Sequence, residues 1–407
     1  MQESNQQIAS KFGIDTVEIE TNVDTKRNVE LFGNDLTFLG VREYERTKHV
    51  HRLHPYLGKF IPQLVEIFLK KYFKTGDTVL DPFSGSGTTL IEANLLGINS
   101  VGIELSPFNA LIQEVKTRKY NMPEVEAEIK DALKNLRNFS AGINAKSKPL
   151  FNGQNSDLST DSEYLKEWYS DRALKEILFY RSVIPRYKNQ DVLKIILSRA
   201  ARSSRLITHY DLARPKAPVR GKYWCIKHKR YCEPINEALV FVNRYSYDTI
   251  ERLKEFDKIR TKAFIQIING DSRNVKLPES LKLDGIFTSP PYVGIIDYHE
   301  QHKYAYELFQ FDRQDTAEIG PAFRGAGREA RAAYKDGIVA VFNNISKNLK
   351  RGAKIFIVAN DKYDLYTDIG KQCGYDLIDT FNRPVLMRTE RTGKMYYESI
   401  FYFVKNW

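Results

Sequence analysis

The segment from Asp81 to Thr89 constrains the fold of this chain more than any other part of the sequence. An apolar strand precedes it, and the residues then read Asp-Pro-Phe-Ser-Gly-Ser-Gly-Thr-Thr and continue with the apolar spacing of a helix. Gly85 and Gly87 allow backbone torsions, and a close approach of a ligand, that a side chain would block. A strand that ends in a glycine turn and begins a helix is typical of an α/β fold, which binds ligands at the carboxyl ends of its strands.

Single positions argue against two other glycine-rich motifs. A nicotinamide fingerprint that began at Gly85 would need a third glycine where the chain has Leu90. A P-loop would need a lysine after Gly87, where the chain has Thr88. The turn therefore fits neither a nicotinamide site nor a nucleoside triphosphate site of these types.

A second short motif follows another apolar strand, which we predict over Gly285–Thr288. The motif reads Ser289-Pro-Pro-Tyr292 and places a hydroxyl, two rigid prolines and an aromatic ring at the end of that strand. Taken alone, it is also compatible with a surface turn. Because both motifs come at the carboxyl ends of predicted strands, we interpret them as parts of one functional site.

Together, the two motifs resemble the S-adenosylmethionine-dependent methyltransferases that methylate exocyclic amino groups of DNA bases. In that family the D-P-F-x-G-x-G-T-T segment holds the cofactor, and the S-P-P-Y segment holds the target amine. The resemblance covers roughly residues 50–112 and 264–404. It implies an α/β, Rossmann-like methyltransferase fold with a mostly parallel seven-stranded sheet and a helical insertion domain. The cofactor motif precedes the amine motif here, whereas many S-P-P-Y enzymes carry the circularly permuted order.

The resemblance also implies which residues bind S-adenosylmethionine. Glu104 lies 23 residues after Asp81, close to the spacing that places an acid on a ribose hydroxyl in dinucleotide folds, although a solvated strand-end glutamate is the alternative. Asp271 would accept a hydrogen bond from the adenine amine, although its Asn-Gly-Asp context is also a common turn. The predicted cofactor-binding residues are Lys59, Phe60, Asp81, Pro82, Phe83, Gly85, Gly87, Thr88, Thr89, Glu104, Leu105, Ser106, Asp271 and Ser272.

The predicted catalytic residues are Ser289, Pro290, Pro291 and Tyr292. The Ser289 hydroxyl and the Pro290 carbonyl can accept hydrogen bonds from an exocyclic amine, whose lone pair then points at the methyl group of the cofactor. Because that amine is paired within duplex DNA, the base must be flipped out, and Tyr292 is placed to stack on it. In the resembling family, serine at the head of the motif goes mainly with cytosine N4, and Asp or Asn goes with adenine N6. We therefore predict a cytosine-N4 DNA methyltransferase.

Positive charge is concentrated between Lys194 and Cys232. This stretch holds eleven Lys and Arg residues and one acidic residue, and the whole chain of 407 residues has a formal charge of +11. Basic residues interleaved with aromatic ones are typical of phosphate contact and base stacking, although a solvated charged face gives the same pattern. The predicted DNA-binding residues are Arg199, Arg202, Arg205, Arg214, Lys216, Arg220 and Lys222.

The same stretch contains a cysteine and histidine pattern, Cys225-Ile-Lys-His228 followed by Cys232. It supplies three ligands, whereas a structural zinc site needs four. His209 could complete such a set, but two buried cysteines and a loop histidine account for the pattern as well, and we predict no metal site. Cys373 has no partner motif and is expected in the core.

Four segments are expected along the chain. They are an N-terminal arm (1–40), the first half of the methyltransferase core (41–118), a helical, basic insertion for DNA and target recognition (119–262) and the second half of the core (263–407). Three cysteines cannot build a disulfide framework, which favours a reducing compartment. No apolar run approaches the roughly 20 residues of a membrane span, and the N-terminus has no signal core. We therefore expect a cytoplasmic, nucleoid-associated enzyme without membrane contact.

Double-stranded DNA is the expected partner, and a cognate restriction endonuclease is a further expected one. Three other functions stay open: an adenine-N6 DNA methyltransferase, an RNA or tRNA base methyltransferase, and a non-catalytic nucleic-acid-binding module. The RNA enzyme would share the cofactor site. Intact Asp81, Gly85 and Gly87, together with Ser289–Tyr292, argue against the non-catalytic module.

Overall fold

Two sheets organise the computed structural model, which describes residues 23–38, 40–55, 61–144, 158–211, 215–385 and 396–407. In chain order the strands are β1 (Thr78–Asp81), β2 (Asn99–Glu104), β3 (Tyr223–Cys225), β4 (Arg230–Cys232), β5 (Ile265–Asn269), β6 (Leu283–Thr288), β7 (Leu349–Ala359), β8 (Asp376–Val385) and β9 (Tyr396–Lys405). Seven of them form one sheet in the order β5-β2-β1-β6-β7-β9-β8, and β3 and β4 form a separate hairpin.

Neighbouring strands of the large sheet run parallel except at β9, which is antiparallel to both β7 and β8. The predicted Rossmann-like α/β fold with a mostly parallel seven-stranded sheet is therefore confirmed. The chain proceeds from β1 to one side of the sheet through β2 and β5, and then continues on the other side with β6. This reversal leaves a crevice at the carboxyl ends of β1 and β6, where such sheets bind their ligands.

The central strands are buried on both faces. All four residues of β1 are buried, as are all residues of β2 except the first. Alternate side chains point to opposite faces, so Leu80 joins an apolar cluster with Ile338 and Phe342, whereas Val79 joins a different one with Phe68. Helices cover both faces, as a parallel sheet requires.

The helices that surround the sheets vary from one turn to more than twenty residues. None of those in the described ranges combines the length and apolar composition that crossing a lipid bilayer requires. In chain order they are α1 (Val23–Phe32), α2 (Glu43–Arg46), α3 (Pro62–Tyr72), α4 (Thr88–Leu95), α5 (Pro107–Thr117), α6 (Met122–Asn144), α7 (Glu163–Trp168), α8 (Asp171–Val183), α9 (Gln190–Ser203), α10 (Leu239–Ile259), α11 (Tyr298–Gln301), α12 (Lys303–Phe309), α13 (Arg328–Ser346) and α14 (Tyr366–Gln372).

Helices fill most of the segment between β2 and β5, where the sequence predicts an insertion. Ile129 of α6, Ile177 of α8 and Ile196 of α9 belong to one buried apolar cluster. The same cluster includes Val50 and Tyr304, which lie before and after the predicted insertion. The insertion therefore shares its core with the flanking segments, and the exact domain boundaries remain predictions.

A buried carboxylate joins α8 to α10. Glu176 is fully buried, and its Oε2 accepts hydrogen bonds from the N–H groups of Ala238 and Leu239 at 2.6 and 2.9 Å, where α10 begins. Its Oε1 accepts hydrogen bonds from the Ser140 hydroxyl at 2.6 Å and from Arg172 Nε at 3.2 Å. The negative charge faces the positive end of the α10 dipole, and both oxygens have partners, so this buried group stabilises the insertion.

The described part of the predicted N-terminal arm is packed on the sheet. Asn28 of α1 donates a hydrogen bond to the Asn382 carbonyl of β8 at 2.9 Å. The Phe32 ring contacts the Phe68 ring of α3 with a centroid distance of 4.7 Å. Residues 23–38 therefore belong to the folded body of the protein rather than to a loose arm.

Gly285 provides a test of the sheet packing. A Cβ at this position would lie 2.1 Å from the Lys354 carbonyl oxygen and 2.7 Å from the Phe73 ring. We expect Gly285→Ala to lower the free energy of unfolding by about 3 kcal/mol or more, because a backbone oxygen cannot move aside as a side chain can. The urea midpoint measures this change.

Gly142→Ala is the matched control for this substitution. Gly142 lies within α6, and a Cβ there would meet nothing within 4 Å. Alanine at this position should raise stability by about 0.5–1 kcal/mol, because it restricts the unfolded chain without a clash. Equal urea midpoints for the two variants would contradict the packing at Gly285.

Candidate active site

The carboxyl ends of β1, β2 and β6 meet at one edge of the sheet. Asp81 at the end of β1 lies opposite Gly102 of β2, and Leu80 lies opposite Ile286 of β6. This register brings the loops that follow the three strands to one crevice. The glycine turn and the Ser-Pro-Pro-Tyr motif therefore face the same space, although 207 residues separate Asp81 from Thr288.

The turn after β1 adopts a conformation that its two glycines permit. Gly85 and Gly87 have φ angles of +50° and +82°, in the left-handed region that other residues rarely adopt. Helix α5 supports this turn from behind. Gln113 donates a hydrogen bond to the Gly85 carbonyl at 2.9 Å. The buried Lys116 ammonium donates one to the Ser86 carbonyl at 2.7 Å.

Glu104 at the end of β2 holds the turn from its other side. Its Oε2 accepts a hydrogen bond from the Gly85 N–H at 2.8 Å. Its Oε1 accepts hydrogen bonds from the Ser106 N–H at 2.9 Å and from Asn109 Nδ2 at 3.1 Å. Burial raises the pKa of Glu104 to about 7, although these hydrogen bonds favour the ionised form. Glu104 lines the crevice, and these three donors leave one lone pair on Oε2 for a hydroxyl group of a ligand.

Asp81 joins the strands that carry the two motifs. Its Oδ1 accepts hydrogen bonds from the Thr288 hydroxyl at 2.6 Å and from the Phe83 N–H at 3.1 Å. Burial raises the pKa of Asp81 to about 6. The carboxylate lies behind the turn and outside the lining of the crevice, as does Thr89, whose hydroxyl donates to the Phe287 carbonyl at 3.2 Å. The structure therefore makes Asp81 a positioning residue rather than the predicted cofactor contact.

One cleft connects the glycine turn with the Ser-Pro-Pro-Tyr motif. It is partly open to solvent and is lined by both polar and apolar side chains. Gly87 is not part of its lining, and Lys59 and Phe60 lie outside the described residues. The predicted site residues that do line it are Pro82, Phe83, Gly85, Thr88, Glu104, Leu105, Ser106, Asp271, Ser272, Ser289 and Pro291.

Two buried hydroxyls in the wall of this cleft lack a protein partner. Ser86 Oγ and Thr88 Oγ1 form no hydrogen bond within the described residues. A polar group bound in the cleft would satisfy them. Phe83 and Ile103 add apolar surface for an aromatic base, and Glu104 adds an acceptor for hydroxyls. These residues fit a nucleoside that carries a polar chain, as the predicted cofactor does.

Asp271 follows β5 and lines the cleft, but its carboxylate is already engaged. Arg273 contacts both of its oxygens, with Nε 2.9 Å from Oδ1 and Nη2 2.6 Å from Oδ2. An adenine amine would therefore share this carboxylate with a guanidinium group. The Ser272 hydroxyl donates to the Pro82 carbonyl at 2.5 Å and so connects the loop after β5 to the glycine turn.

The residues of the amine motif occupy different depths. Ser289 is half-buried and lines the cleft together with Pro291. Pro290 is buried behind them, and Tyr292 packs beside the lining against an apolar cluster of the sheet. Of the four predicted catalytic residues, Ser289 is therefore the one that presents a polar side chain to the cleft.

Two tyrosine hydroxyls anchor the loop of the amine motif. The buried Tyr334 of α13 donates a hydrogen bond to the Pro291 carbonyl at 2.8 Å. Tyr292 donates one to Glu398 Oε1 of β9 at 2.8 Å, and Arg383 Nε donates to the other oxygen of Glu398 at 2.8 Å. These anchors hold the C-terminal end of the motif, at Pro291 and Tyr292, in place.

A wall of the cleft that no sequence motif predicts lies beyond Tyr292. Tyr298 and His299 of α11 line the cleft, as does Glu318 from the loop after α12. The His299 N–H donates to Glu318 Oε1 at 3.0 Å, and His299 Nδ1 contacts the same oxygen. Both residues are buried. The sequence offers one signal for this wall, which is a tyrosine and a histidine six and seven residues after Tyr292. Glu318 is too distant in sequence to be connected with them.

The structure contradicts two of the predicted DNA contacts. Arg199 and Arg205 are only 4% and 5% exposed. The Arg199 guanidinium forms an ion pair with Asp248 at 2.5 Å and lies over the Tyr245 ring. That of Arg205 lies over the Tyr304 ring. Both guanidinium groups therefore pack inward, against an aspartate and an aromatic ring, and do not face a DNA backbone.

The other predicted DNA-binding residues differ in exposure. Lys216, Arg220 and Lys222 are exposed around the β3–β4 hairpin. Arg202 is half-buried, and Arg214 lies outside the described residues. The exposed cations near the hairpin therefore remain predictions for DNA contact.

Similarity to known proteins agrees with this geometry. Residues 3–114 match the family described as DNA methylase, and residues 70–163 match the RMKL-like methyltransferase domain. The type II methyltransferase M.MjaII of Methanocaldococcus jannaschii is 43% identical over 90% of this chain and 82% of its own length. This chain belongs to the DNA amino-methyltransferase family. S-adenosylmethionine is accordingly the cofactor of this methyltransferase.

More distant similarities are weaker. The type II methyltransferase M.MvaI of Kocuria varians is 23% identical over 63% of this chain and 56% of its own length. The structure of the rRNA methyltransferase aviRa of Streptomyces viridochromogenes aligns with 89% of this chain over 93% of its own chain. The sequence identity is 10% and the TM-score is 0.34. A likeness at that score supports no conclusion, so the fold assignment rests on the strand order.

The raised pKa of Glu104 predicts that cofactor binding depends on pH. The ionised carboxylate can accept hydrogen bonds from ligand hydroxyls, and protonation competes with this role. We expect the dissociation constant for S-adenosylmethionine to increase as the pH falls below about 7, by up to about tenfold per pH unit. Calorimetric titrations between about pH 5.5 and about pH 8.5 measure this dependence.

Glu104→Gln is the control for the pH profile. The amide cannot ionise, so the variant should bind S-adenosylmethionine more weakly and should lose the part of the pH dependence that is centred near pH 7. An unmodified enzyme that binds equally well at every pH would contradict the role assigned to the Glu104 carboxylate.

Proposed function

We propose that this methyltransferase transfers the methyl group of S-adenosylmethionine to the exocyclic amine of a base flipped out of double-stranded DNA, and that the amine is N4 of cytosine. The observation that supports this best is the shared cleft, because Ser289 and the glycine turn line the same space. Holding two reactants together in this way removes much of the entropic barrier to reaction. The type II methyltransferase names of the relatives support DNA as the substrate.

Residues at the ends of β1 and β2 would hold the cofactor. Glu104 would accept hydrogen bonds from the ribose hydroxyls, and Phe83 would contact the adenine. The unpartnered hydroxyls of Ser86 and Thr88 would pair with polar groups of the ligand. When bound, S-adenosylmethionine supplies a methyl group on a positively charged sulfur, which keeps the electron pair of the broken bond.

Ser289 and its neighbours would position the target amine. An exocyclic amine is a weak nucleophile because its lone pair is delocalised into the ring. Hydrogen bonds from the amine to Ser289 Oγ and to the Pro290 carbonyl would direct that lone pair out of the ring plane. The anchors on Pro291 and Tyr292 keep these acceptors in place, so little reorganisation is needed at the moment of reaction.

Tyr292 is the proposed stacking partner of the flipped base. Stacking on an aromatic ring offsets part of the energy lost when the base leaves the duplex. Because the Tyr292 hydroxyl donates a hydrogen bond to Glu398, the Tyr292 ring has a fixed orientation before a base binds. Such a fixed ring lowers the entropy cost of capturing the base.

The length of the acceptor at position 289 favours cytosine. A serine hydroxyl is short, which suits an amine on the smaller pyrimidine ring that can enter the cleft more deeply. An aspartate or asparagine would reach further and accept more strongly, which suits the N6 amine of adenine. Adenine in DNA is therefore the second candidate, and a base of RNA or tRNA is the third because it would use the same cofactor site.

The surface around the β3–β4 hairpin is the proposed DNA contact. It carries the exposed cations Lys216, Arg220 and Lys222 and the exposed rings of Trp224 and Tyr231. Cations of this kind contact phosphates, and exposed aromatic rings stack on unpaired bases. A cognate restriction endonuclease and a location near the nucleoid stay predictions from the sequence.

Product analysis tests the reaction and the target base together. The enzyme is incubated with labelled S-adenosylmethionine and either genomic DNA or total RNA, and the nucleic acid is digested to nucleosides for mass spectrometry. We expect N4-methylcytosine from DNA and no labelled nucleoside from RNA. Ser289→Ala should lower turnover by about 100-fold while S-adenosylmethionine binding is retained, because the deleted hydroxyl positions only the amine.

Ser280→Ala is the matched control, since Ser280 is exposed on the loop before β6. N6-methyladenine in place of N4-methylcytosine would overturn the choice of base and leave the reaction class standing. A labelled product from RNA alone would overturn DNA as the substrate. Full turnover by Ser289→Ala would contradict its role in positioning the amine.

Salt dependence tests the DNA-contacting surface. Replacing both Lys216 and Lys222 by alanine should weaken DNA binding and reduce the slope of log K against log salt by about 0.9 for each phosphate that the variant no longer neutralises. Lys282→Ala is the control, because this exposed lysine precedes β6 at the opposite edge of the sheet from the cleft. An unchanged slope in the double variant would show that these lysines only face solvent.

A further inference from the structure

Four side chains that can ligate a metal come together at the β3–β4 hairpin. The ligand atoms of His209, Cys225, His228 and Cys232 all lie within 4.8 Å of one another. Three of them form the pattern seen in the sequence, and the fold adds His209 from the segment after α9. The sequence leaves open whether His209 completes the set, and two buried cysteines with a loop histidine explain the pattern as well; the structure brings His209 to the other three.

The distances within this cluster match a tetrahedral metal centre. Cys225 Sγ lies 3.9 Å from His209 Nδ1, and Cys232 Sγ lies 3.5 Å from His228 Nδ1. Zinc bonds of about 2.3 Å to sulfur and about 2.0–2.1 Å to nitrogen in a tetrahedron separate the two ligand atoms by roughly 3.6 Å. Both sulfur–nitrogen pairs are therefore close to the separation that a tetrahedral zinc ion requires, and all four atoms are near enough to surround one ion.

A disulfide does not explain the two cysteines. Both thiols are free, and the strand register pairs Cys225 with Arg230 and Cys232 with Tyr223, so the cysteines are not opposite each other. Both are buried, whereas the rings of the adjacent strand residues are exposed on the other face of the hairpin. The hairpin thus has one buried face that carries both thiols, and the half-buried His209 and the exposed His228 lie beside them.

The hairpin also lacks an apolar core of its own. Its strands have three residues each, and Trp224, Ile226 and Tyr231 are 54%, 67% and 70% exposed. Its turn places Lys229 at a φ of +50°, in the left-handed region that a lysine rarely adopts. A hairpin of two strands is marginal in water without further support. A metal ion can supply that support, because its binding energy becomes folding energy.

We propose that His209, Cys225, His228 and Cys232 bind one zinc ion. Two sulfur and two nitrogen ligands in a tetrahedral arrangement suit zinc better than magnesium or calcium, which prefer oxygen. All four positions are filled by the protein, which leaves none for water or substrate and makes the site structural rather than catalytic. The ion fixes the hairpin and, through it, the outward pair of Trp224 and Tyr231. This proposal does not depend on the identity of the methylated base.

Metal analysis of the full-length protein, purified without chelators from zinc-supplemented cells, tests the site. We expect inductively coupled plasma mass spectrometry to find about one zinc ion per chain. Cys225→Ser and His209→Ala should each lose most of the zinc. Cys373→Ser is the matched control, since Cys373 is buried near the end of α14 and belongs to no metal-ligating group in the described residues, and it should keep the ion.

Cobalt substitution gives a readout that does not require a variant to fold. Unmodified protein loaded with cobalt(II) should show the strong visible bands of a tetrahedral site with thiolate ligands. S-adenosylmethionine binding by Cys225→Ser should persist, because the cleft lies elsewhere, while its DNA affinity falls. Unmodified protein that contains less than about a tenth of an equivalent of zinc, or a weak octahedral cobalt spectrum, would overturn the proposal.

Discussion

A single buried hydrogen bond, from the Thr288 hydroxyl to the Asp81 carboxylate, fixes the geometry on which the site depends. It joins the ends of β1 and β6 at 2.6 Å, where the glycine turn and the amine motif begin. Asp81 is 1% exposed, so loss of the Thr288 hydroxyl would leave this buried carboxylate with one hydrogen-bond donor fewer, which costs free energy. The distance between the cofactor loop and the amine loop is therefore determined by the sheet and does not need to be created by a ligand.

The parts of the site that the sequence predicts are those that local backbone chemistry determines. Gly85 and Gly87 are needed for a left-handed turn, and Glu104 and Ser289 each follow an apolar strand that the pattern makes visible. Because parallel strands put their carboxyl ends on one edge, these local features suffice to predict a common cleft. Asp81 shows the limit of this reasoning, since its motif identifies the residue but not whether its side chain faces the ligand or the neighbouring strand.

Features that depend on contacts between distant segments could not be predicted in this way. The spacing of Arg199 and Arg205 shows that they share a side but not which side faces solvent, and Asp248, which neutralises Arg199, lies 49 residues away. The contact between His299 and Glu318 has the same origin, and so does the position of His209 at the hairpin, which the sequence leaves open. Strands of three residues are also too short to give a periodic signal, so the sequence does not predict the hairpin.

The shared apolar core of the helical insertion limits how this protein can be recombined. Val50 and Tyr304 pack in the same cluster as Ile196, although they lie on either side of the insertion in sequence. Two residues beyond Tyr304, the Tyr306 hydroxyl is 2.7 Å from Ser106 Oγ in the cofactor cleft. The insertion is consequently not an independent domain that can be exchanged between proteins. To graft the insertion of a relative onto this protein, the flanking segments would have to be transferred with it. We therefore expect the recognised DNA sequence and the geometry of the cofactor cleft to change together among related enzymes.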